Sequence, residues 1–274
     1  MSIEIPSGAA AYSEHNPPPK NRQLLVLLGL FLGTIALIVW VVGWIASGLI
    51  WLIPPSLEQQ LGQVIVPVYE AQAQPSSTQD QLNDLLDRLE THLSGDLHNG
   101  RDYQVLYVPQ DVVNAIAIPG DRIIIYDGLL DEMDSENELA MVLGHELGHF
   151  ANRDHLRGLG RQVAVRLALA YFLGDAGTIG AIATSSTTMI ANAQFSQQQE
   201  YQADEVGLTL LNQLYGHAAG ATDFFQNLVE KERLNLNVPM LASHPASEKR
   251  VKRLKELIQE KGYEVGEHLP KTWP

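Results

Sequence analysis

From Leu24 to Ile53 the chain runs for 30 residues without a charged side chain. A bilayer core is spanned by about 20 apolar residues, and a helix of this length would reach about 45 Å. Trp40, Trp44 and Trp51 lie in its second half, where interfacial aromatics are common. The run exceeds the roughly 7–15 apolar residues of a cleaved signal peptide, so residues 23–53 are read as an uncleaved transmembrane anchor. Pro54 and Pro55 end it. Residues 1–22, with Pro17 to Pro19 and no apolar periodicity, read as a disordered tail. Residues 54–80 form a lead-in and linker, with Ala71 to Asp80 the linker-like part. From Gln81 to Leu93, Leu82, Leu85, Leu86, Leu89 and Leu93 recur at helical spacing. Tyr103 to Val108 alternates as a strand. Val112 to Ile118 and Arg122 to Tyr126 flank Pro119-Gly120-Asp121 and predict a hairpin. Helices dominate from Ser135 onward, where Ser135 to Glu138 fits a capping box. Val163 to Ala193 is weakly apolar and is read as a soluble or membrane-skimming helical hairpin.

Charge and composition narrow the function. The 274 residues carry 18 basic and 32 acidic side chains, a net charge of −14. No basic face is available for nucleic acid, so no nucleic-acid partner is expected. The chain has no cysteine, which excludes disulfides and thiol catalysis and leaves His and carboxylate as metal ligands. Lys20 and Arg22 precede the anchor, and the next basic residue after it is Arg88. Positive charge stays on the cytoplasmic side, so the tail is placed in the cytoplasm and the rest outside it, in periplasm or lumen.

His145-Glu146-Leu147-Gly148-His149 is an H-E-x-x-H motif. Four residues on a helix turn through about 400°, which stacks the two imidazoles on one face within reach of one ion. Glu146 points away from direct ligation and suits a general base. Imidazole and carboxylate donors suit one zinc ion. About 50 residues downstream, Glu200 is the natural third ligand. Asp204 follows one turn later on the same face and can accept a hydrogen bond from a ligand imidazole. Arg250 lies on a helix face whose Val251, Leu254 and Leu257 turn inward; it is either solvated or steadies the segment around His244.

These residues resemble the HtpX-like zinc metallopeptidases, relatives of the CAAX prenyl proteases and of periplasmic quality-control proteases. The resemblance runs through His145 to His155, Glu200 to Asp204, Asn114 to Gly120 followed by Gly128-Leu129-Leu130, and Ser243-His244-Pro245 with Arg250, covering most of residues 80–255. It implies a zinc endopeptidase with Glu146 as base. It also implies that Asn114, Ala115, Ile116 and Ala117 line the cleft and pair with extended substrate. His244 would sit near the metal, either donating to the oxyanion or blocking the site in a resting state.

The expected architecture is a mostly helical α+β zincin-type peptidase domain over residues 81–274, with a small β-sheet or hairpin, behind one transmembrane helix. Partners are polypeptide substrates, with unfolded or damaged envelope proteins implied by the resemblance, and the lipid bilayer through residues 24–53. Two alternatives stand beside this. His155, ten residues after His145, has the spacing of the metzincin third ligand, with Asn152 where a left-handed turn is needed. A membrane-tethered binding or chaperone-like module would instead hold a structural metal, with His244 as fourth ligand.

Overall fold

The computed structural model describes residues 20–95, 101–160 and 194–273, apart from 235, 237 and 246. The segment 163–193 lies outside the described residues. The chain opens with helix α1 (Asn21–Leu49), whose apolar side chains are largely exposed and which is the one described helix long and apolar enough to cross a membrane. A 3-10 turn (Ile50–Leu52) leads into α2 (Pro55–Glu70), which starts with proline in its first turn. That position suits proline, because its missing N–H would have no helical partner there.

Helix α3 (Ser77–Glu90) begins earlier than its leucine spacing indicates. The Ser76 hydroxyl accepts from the Gln79 N–H at 3.2 Å and caps the first turn, so residues expected to be linker become helix. Strands β1 (Gln104–Val108), β2 (Ala115–Ile118) and β3 (Arg122–Tyr126) make one sheet in the order β1-β3-β2. β1 runs parallel to β3, and β2 pairs with β3 antiparallel as the expected hairpin. Its turn needs positive φ at Gly120 (93°) and Asp121 (58°). The strand starts at Ala115 instead of Val112. The backbone of Val112 is pressed against Gly128, and the Val113 carbonyl is turned to accept from the Met240 N–H at 3.1 Å.

The sheet has two edges, and they are treated differently. Asn83 and Gln79 of α3 cover β1: the Val105 N–H donates to Asn83 Oδ1 at 2.8 Å, and the Tyr107 N–H to Gln79 Oε1 at 3.1 Å. This blunts an edge that would otherwise expose unpaired backbone groups. β2 is the other edge and faces the helices that follow. Side chains alternate across the pleat. Val105, Ala115, Ala117, Ile123 and Ile125 enter the main core with α3 and the later helices. Leu106, Val108, Ile116, Ile118 and Ile124 enter a second core with Ile65 and Tyr69 of α2. The lead-in helix, together with Leu159, therefore covers this face of the sheet.

Helix α4 (Asp127–Asp131) precedes α5 (Glu136–Ala151). Ser135 caps α5 by accepting from the Glu138 N–H at 3.3 Å. The expected capping box closes differently, since the Glu138 carboxylate accepts from the Ser135 hydroxyl at 2.9 Å. After a left-handed residue, residues 154–160 are again helical. Helices α6 (Gln197–Tyr215), α7 (Asp223–Arg233), α8 (Pro239–Ser243) and α9 (Glu248–Glu260) complete the domain. The final segment docks on the start of α5: the Glu136 N–H donates to the Leu269 carbonyl, and buried Trp273 donates Nε1–H to the Leu130 carbonyl at 3.3 Å.

Two contacts decide where the motifs end up. α5 and α6 cross so closely that a Cβ on Gly144 would lie 2.9 Å from Gly207 Cα, and one on Gly148 would lie 2.7 Å from Ala203 Cα. Only residues without or with minimal side chains allow this spacing. α2 is held by buried charge: Arg101 makes a paired contact with Glu58 at 3.0 and 2.9 Å and also binds Asp121, while His155 Nε2 lies 2.8 Å from Glu58 Oε1. Burial disfavours the Glu58 carboxylate, but the hydrogen bonds and charges of His155 and Arg101 outweigh it and hold its pKa down at about 2, from 4.5.

Gly207→Ala should lower stability by about 1–3 kcal/mol, because the new methyl meets the His145 backbone; urea unfolding with bound metal measured in parallel tests this. For Glu58 the lowered pKa means a stabilisation present above pH 4.5 and lost as pH falls toward about 2. The stability gap between wild type and Glu58→Gln should narrow over that window in pH-dependent urea titrations.

Candidate metal centre

Helix α5 carries His145, Glu146 and His149, all fully buried. α6 brings in Glu200 and Asp204 from its first two turns. Its start is fixed by a capping box in which the Ser196 N–H donates to Gln199 Oε1 at 2.9 Å and the Gln199 N–H donates to Ser196 Oγ at 3.4 Å. The loop after α8 supplies His244, and α9 supplies Arg250. Among the described residues, His145, His149, Glu200 and His244 each offer a donor atom within 4.8 Å of the others.

The spacing of these donors fits an ion. His145 Nε2 lies 3.1 Å from His149 Nε2, 3.3 Å from His244 Nδ1 and 3.7 Å from Glu200 Oε2. Glu200 Oε1 lies 3.5 Å from His149 Nε2 and 3.2 Å from His244 Nδ1. A tetrahedron whose corners stand about 2.0–2.1 Å from its centre has edges of about 3.3 Å.

Protonation makes the same point. His145 Nδ1 lies 2.9 Å from Asp204 Oδ1, and His149 Nδ1 lies 3.0 Å from Asp154 Oδ2. Each carboxylate draws the ring proton to the outer nitrogen, so both inner nitrogens present lone pairs to the same point. Two facing lone pairs need a cation between them. With no ion there, burial favours a neutral His149, yet Asp154 and Glu200 outweigh it and raise its pKa to about 10, so a proton takes the place of the cation on that ring. Burial lowers the His145 pKa and keeps that ring neutral.

The carboxylates are held ionised. Burial works against Glu200, but the charges of His244 and Arg250 keep it well below the usual carboxylate range. Asp204 is lowered in the same way, against burial, chiefly by the Arg250 charge. Arg250 donates Nη2–H to Asp204 Oδ1 at 2.7 Å and Nε–H to Oδ2 at 3.0 Å, pairs with Glu200 and reaches the Pro245 carbonyl at 3.3 Å. Removing one partner of such a buried pair costs about 3–5 kcal/mol. Arg250 is thus no solvated residue; it ties α6 to the His244 loop.

Glu146 stands beside the cluster. Its Oε2 accepts from the Ala117 N–H of edge strand β2 at 3.0 Å, and its buried Oε1 has no hydrogen-bond partner. His244 Nε2 is 3.7 Å from that oxygen. Of Asn114, Ala115, Ile116 and Ala117, all buried, Ala117 is the one bonded to this carboxylate.

The metzincin alternative does not survive. His155 is buried against Glu58 and takes no part in the cluster. The left-handed residue is Arg153, with φ 54°, and Asn152 is right-handed. That reversal sends His155 toward α2 and returns Asp154 to His149. Asp154 is the main residue missed in the sequence, along with Gln199, which donates to Asp154 Oδ1 at 2.6 Å, and Phe195, whose ring stacks 4.0 Å from that of His149. Asp154 sits inside the His145–His155 stretch that carries the family resemblance, but its direction depends on a turn that spacing does not reveal.

The chain matches the profile of peptidase family M48 over residues 76–258. It belongs to this family. The family assignment agrees with the resemblance to HtpX-like metallopeptidases. Over 170 residues the chain is 34% identical to metalloprotease LoiP of Escherichia coli, covering 59% of this chain and 64% of that protein. It is 31% identical over 159 residues to the beta-barrel assembly-enhancing protease of Yersinia pestis, covering 53% and 32%. It is 28% identical over 158 residues to the mitochondrial metalloendopeptidase OMA1 of Arabidopsis thaliana, covering 57% and 31%. The chain therefore spans under two thirds of LoiP and about a third of the other two.

Asp154→Asn should weaken metal binding by roughly 10–100-fold, since His149 loses the acceptor that orients it. Competition with a chromogenic chelator, with circular dichroism as a folding control, measures this.

Proposed function

We propose that this chain is a membrane-anchored zinc metalloendopeptidase, with His145, His149 and Glu200 as ligands and Glu146 as general base. The observation that carries the proposal is the donor cluster beside a buried, unpartnered Glu146 oxygen. Zinc, when bound, supplies the Lewis acidity that polarises the scissile carbonyl. Glu146 takes a proton from the attacking water and returns it to the leaving amine. The Ala117 N–H holds the other Glu146 oxygen, so the free one keeps a fixed aim. Residues Asn114 to Ala117, buried at rest with the Ala117 N–H given to Glu146, are the edge along which substrate backbone would pair once the site opens. Asp204 and Asp154 hold the ligand rings, and Arg250 steadies Glu200, Asp204 and the loop of His244.

His244 stands at the fourth corner, within hydrogen-bonding distance of Glu200 and His145. It closes the site at rest and must withdraw before substrate enters. The same four-donor arrangement favours a second reading, a binding module with a structural metal, because structural zinc sites are closed by four protein ligands.

The anchor is α1, with the tail cytoplasmic and the peptidase domain in periplasm or lumen, supported by Lys20 and Arg22 before the apolar run. Substrates are unfolded or damaged envelope or membrane proteins. The name of one relative, a beta-barrel assembly-enhancing protease, supports membrane proteins as the class, and the unfolded or damaged state rests on the family resemblance.

Casein cleavage by the full chain in detergent, with zinc measured on each variant, tests the proposal. Wild type should cleave, and Glu146→Gln should retain zinc and lose roughly 10²–10⁴-fold in kcat. His244→Ala should raise activity. Zinc in all three with cleavage in none would establish the binding module instead.

A further inference from the structure

The exposed side of α2 departs from the rest of the molecule. In a chain of net charge −14, α2 contains two charged side chains: Glu58, fully buried against Arg101 and His155, and Glu70, exposed at its last position and about 140° from Leu57 around the helix. Ahead of Glu70, everything the helix shows to solvent is uncharged. Leu57, Val64 and Val68 are 43%, 66% and 45% exposed, with Leu61 half-buried between them. At about 100° per residue, the first three lie within a sector of about 40°, while Gln63 is turned about 120° away. The helix thus has three faces: one packed on the sheet through Ile65 and Tyr69, one glutamine-rich, and one apolar and bare.

The apolar face continues directly from α1. Between them, Trp51 and Leu52 are 54% and 76% exposed. Trp51 is covered by two guanidinium groups, Arg153 at 5.9 Å and Arg157 at 5.3 Å from the ring centre. Arg153 also donates to the carbonyls of Ile50 (3.2 Å) and Ile53 (2.5 Å), which locks the exit of α1 onto the turn that follows the metal-binding helix. An aromatic ring with paired cations at the end of an apolar helix has the composition of a membrane–water interface, where the ring sits at headgroup level and arginine reaches phosphate. Helix α2 then begins at Pro55, four residues after Trp51, across an extended Pro54 (φ −70°, ψ 151°).

We propose that α2 lies along the lipid surface, with Leu57, Leu61, Val64 and Val68 in the headgroup–acyl boundary, and that the membrane is the partner of this face. The lipid-seated helix is also the one that covers the sheet and binds His155, so the bilayer carries the peptidase domain at fixed height. This inference rests on α1 being the membrane span.

The test uses the full chain in liposomes of neutral and anionic phospholipid. The absence of cysteine allows a single cysteine, and hence a nitroxide label, at Leu57, Val64, Val68, Gln63 or Phe31 in turn. Collision rates with oxygen, which concentrates in lipid, and with a water-soluble nickel chelate report depth. Labels at 57, 64 and 68 should favour oxygen to a similar extent, and the label at 63 should favour nickel. Position 68 is about 16 Å of helix beyond 57. A helix standing away from the bilayer would therefore show oxygen preference falling from 57 to 68, which overturns the proposal. Labels shielded from both reagents would place a protein on this face, a second copy for example, and would also overturn it. The Phe31 label separates the two readings: deep in lipid with aqueous α2 labels, only the surface seating fails; aqueous at Phe31, the anchor itself fails.

Discussion

The close crossing of α5 and α6 is the constraint on which the rest of the molecule depends. Gly144 opposes Gly207 and Gly148 opposes Ala203, and no ordinary side chain fits at either point. Both pairs alternate with the functional residues: Gly144 precedes His145, Gly148 precedes His149, and Ala203 precedes Asp204. One face of each helix therefore supplies the contact while the adjoining face supplies the clustered donor side chains. With backbones this close, Glu200 reaches the two imidazoles and Asp204 reaches the outer nitrogen of His145. At the more usual separation of packed helices, about 8–10 Å between axes, these carboxylate side chains would fall short of the imidazoles.

Around that crossing, charge is organised in two layers. Asp204 and Asp154 lie against the outer nitrogens of His145 and His149, and Arg250 and Gln199 in turn hold those carboxylates. The outer members come from elements distant in sequence, α9 and the start of α6, so the pocket is assembled only when the whole helical layer is packed. The same logic reaches α2, whose buried Glu58 is bound by Arg101 and by His155, the residue next to Asp154. The metal centre, the sheet and the segment leading from the apolar helix are joined through adjacent residues of one short turn. Buried polar groups of this kind are costly unless every partner is present, which makes the arrangement specific.

Much of this was legible in the sequence because it depends on local periodicity. The four-residue spacing of His145 and His149 on a helix, the hairpin about Pro119 to Asp121, the leucines of α3 and the 30-residue uncharged run all follow from 3.6- and 2-residue repeats and from turn chemistry. Family motifs extended this to Glu200, Asp204, His244 and Arg250, which the fold brings together. Other features were decided only by tertiary structure. His155 has the spacing of a ligand, and a left-handed residue at Arg153 sends it elsewhere and puts Asp154 in contact with His149 instead. Ser76 extends α3 into an apparent linker, and α2, plain in composition, covers a face of the sheet. Periodicity determines which face of an element is apolar; it carries no information on the direction of a chain after a single reversed φ angle, or on which distant carboxylate a buried cation will meet.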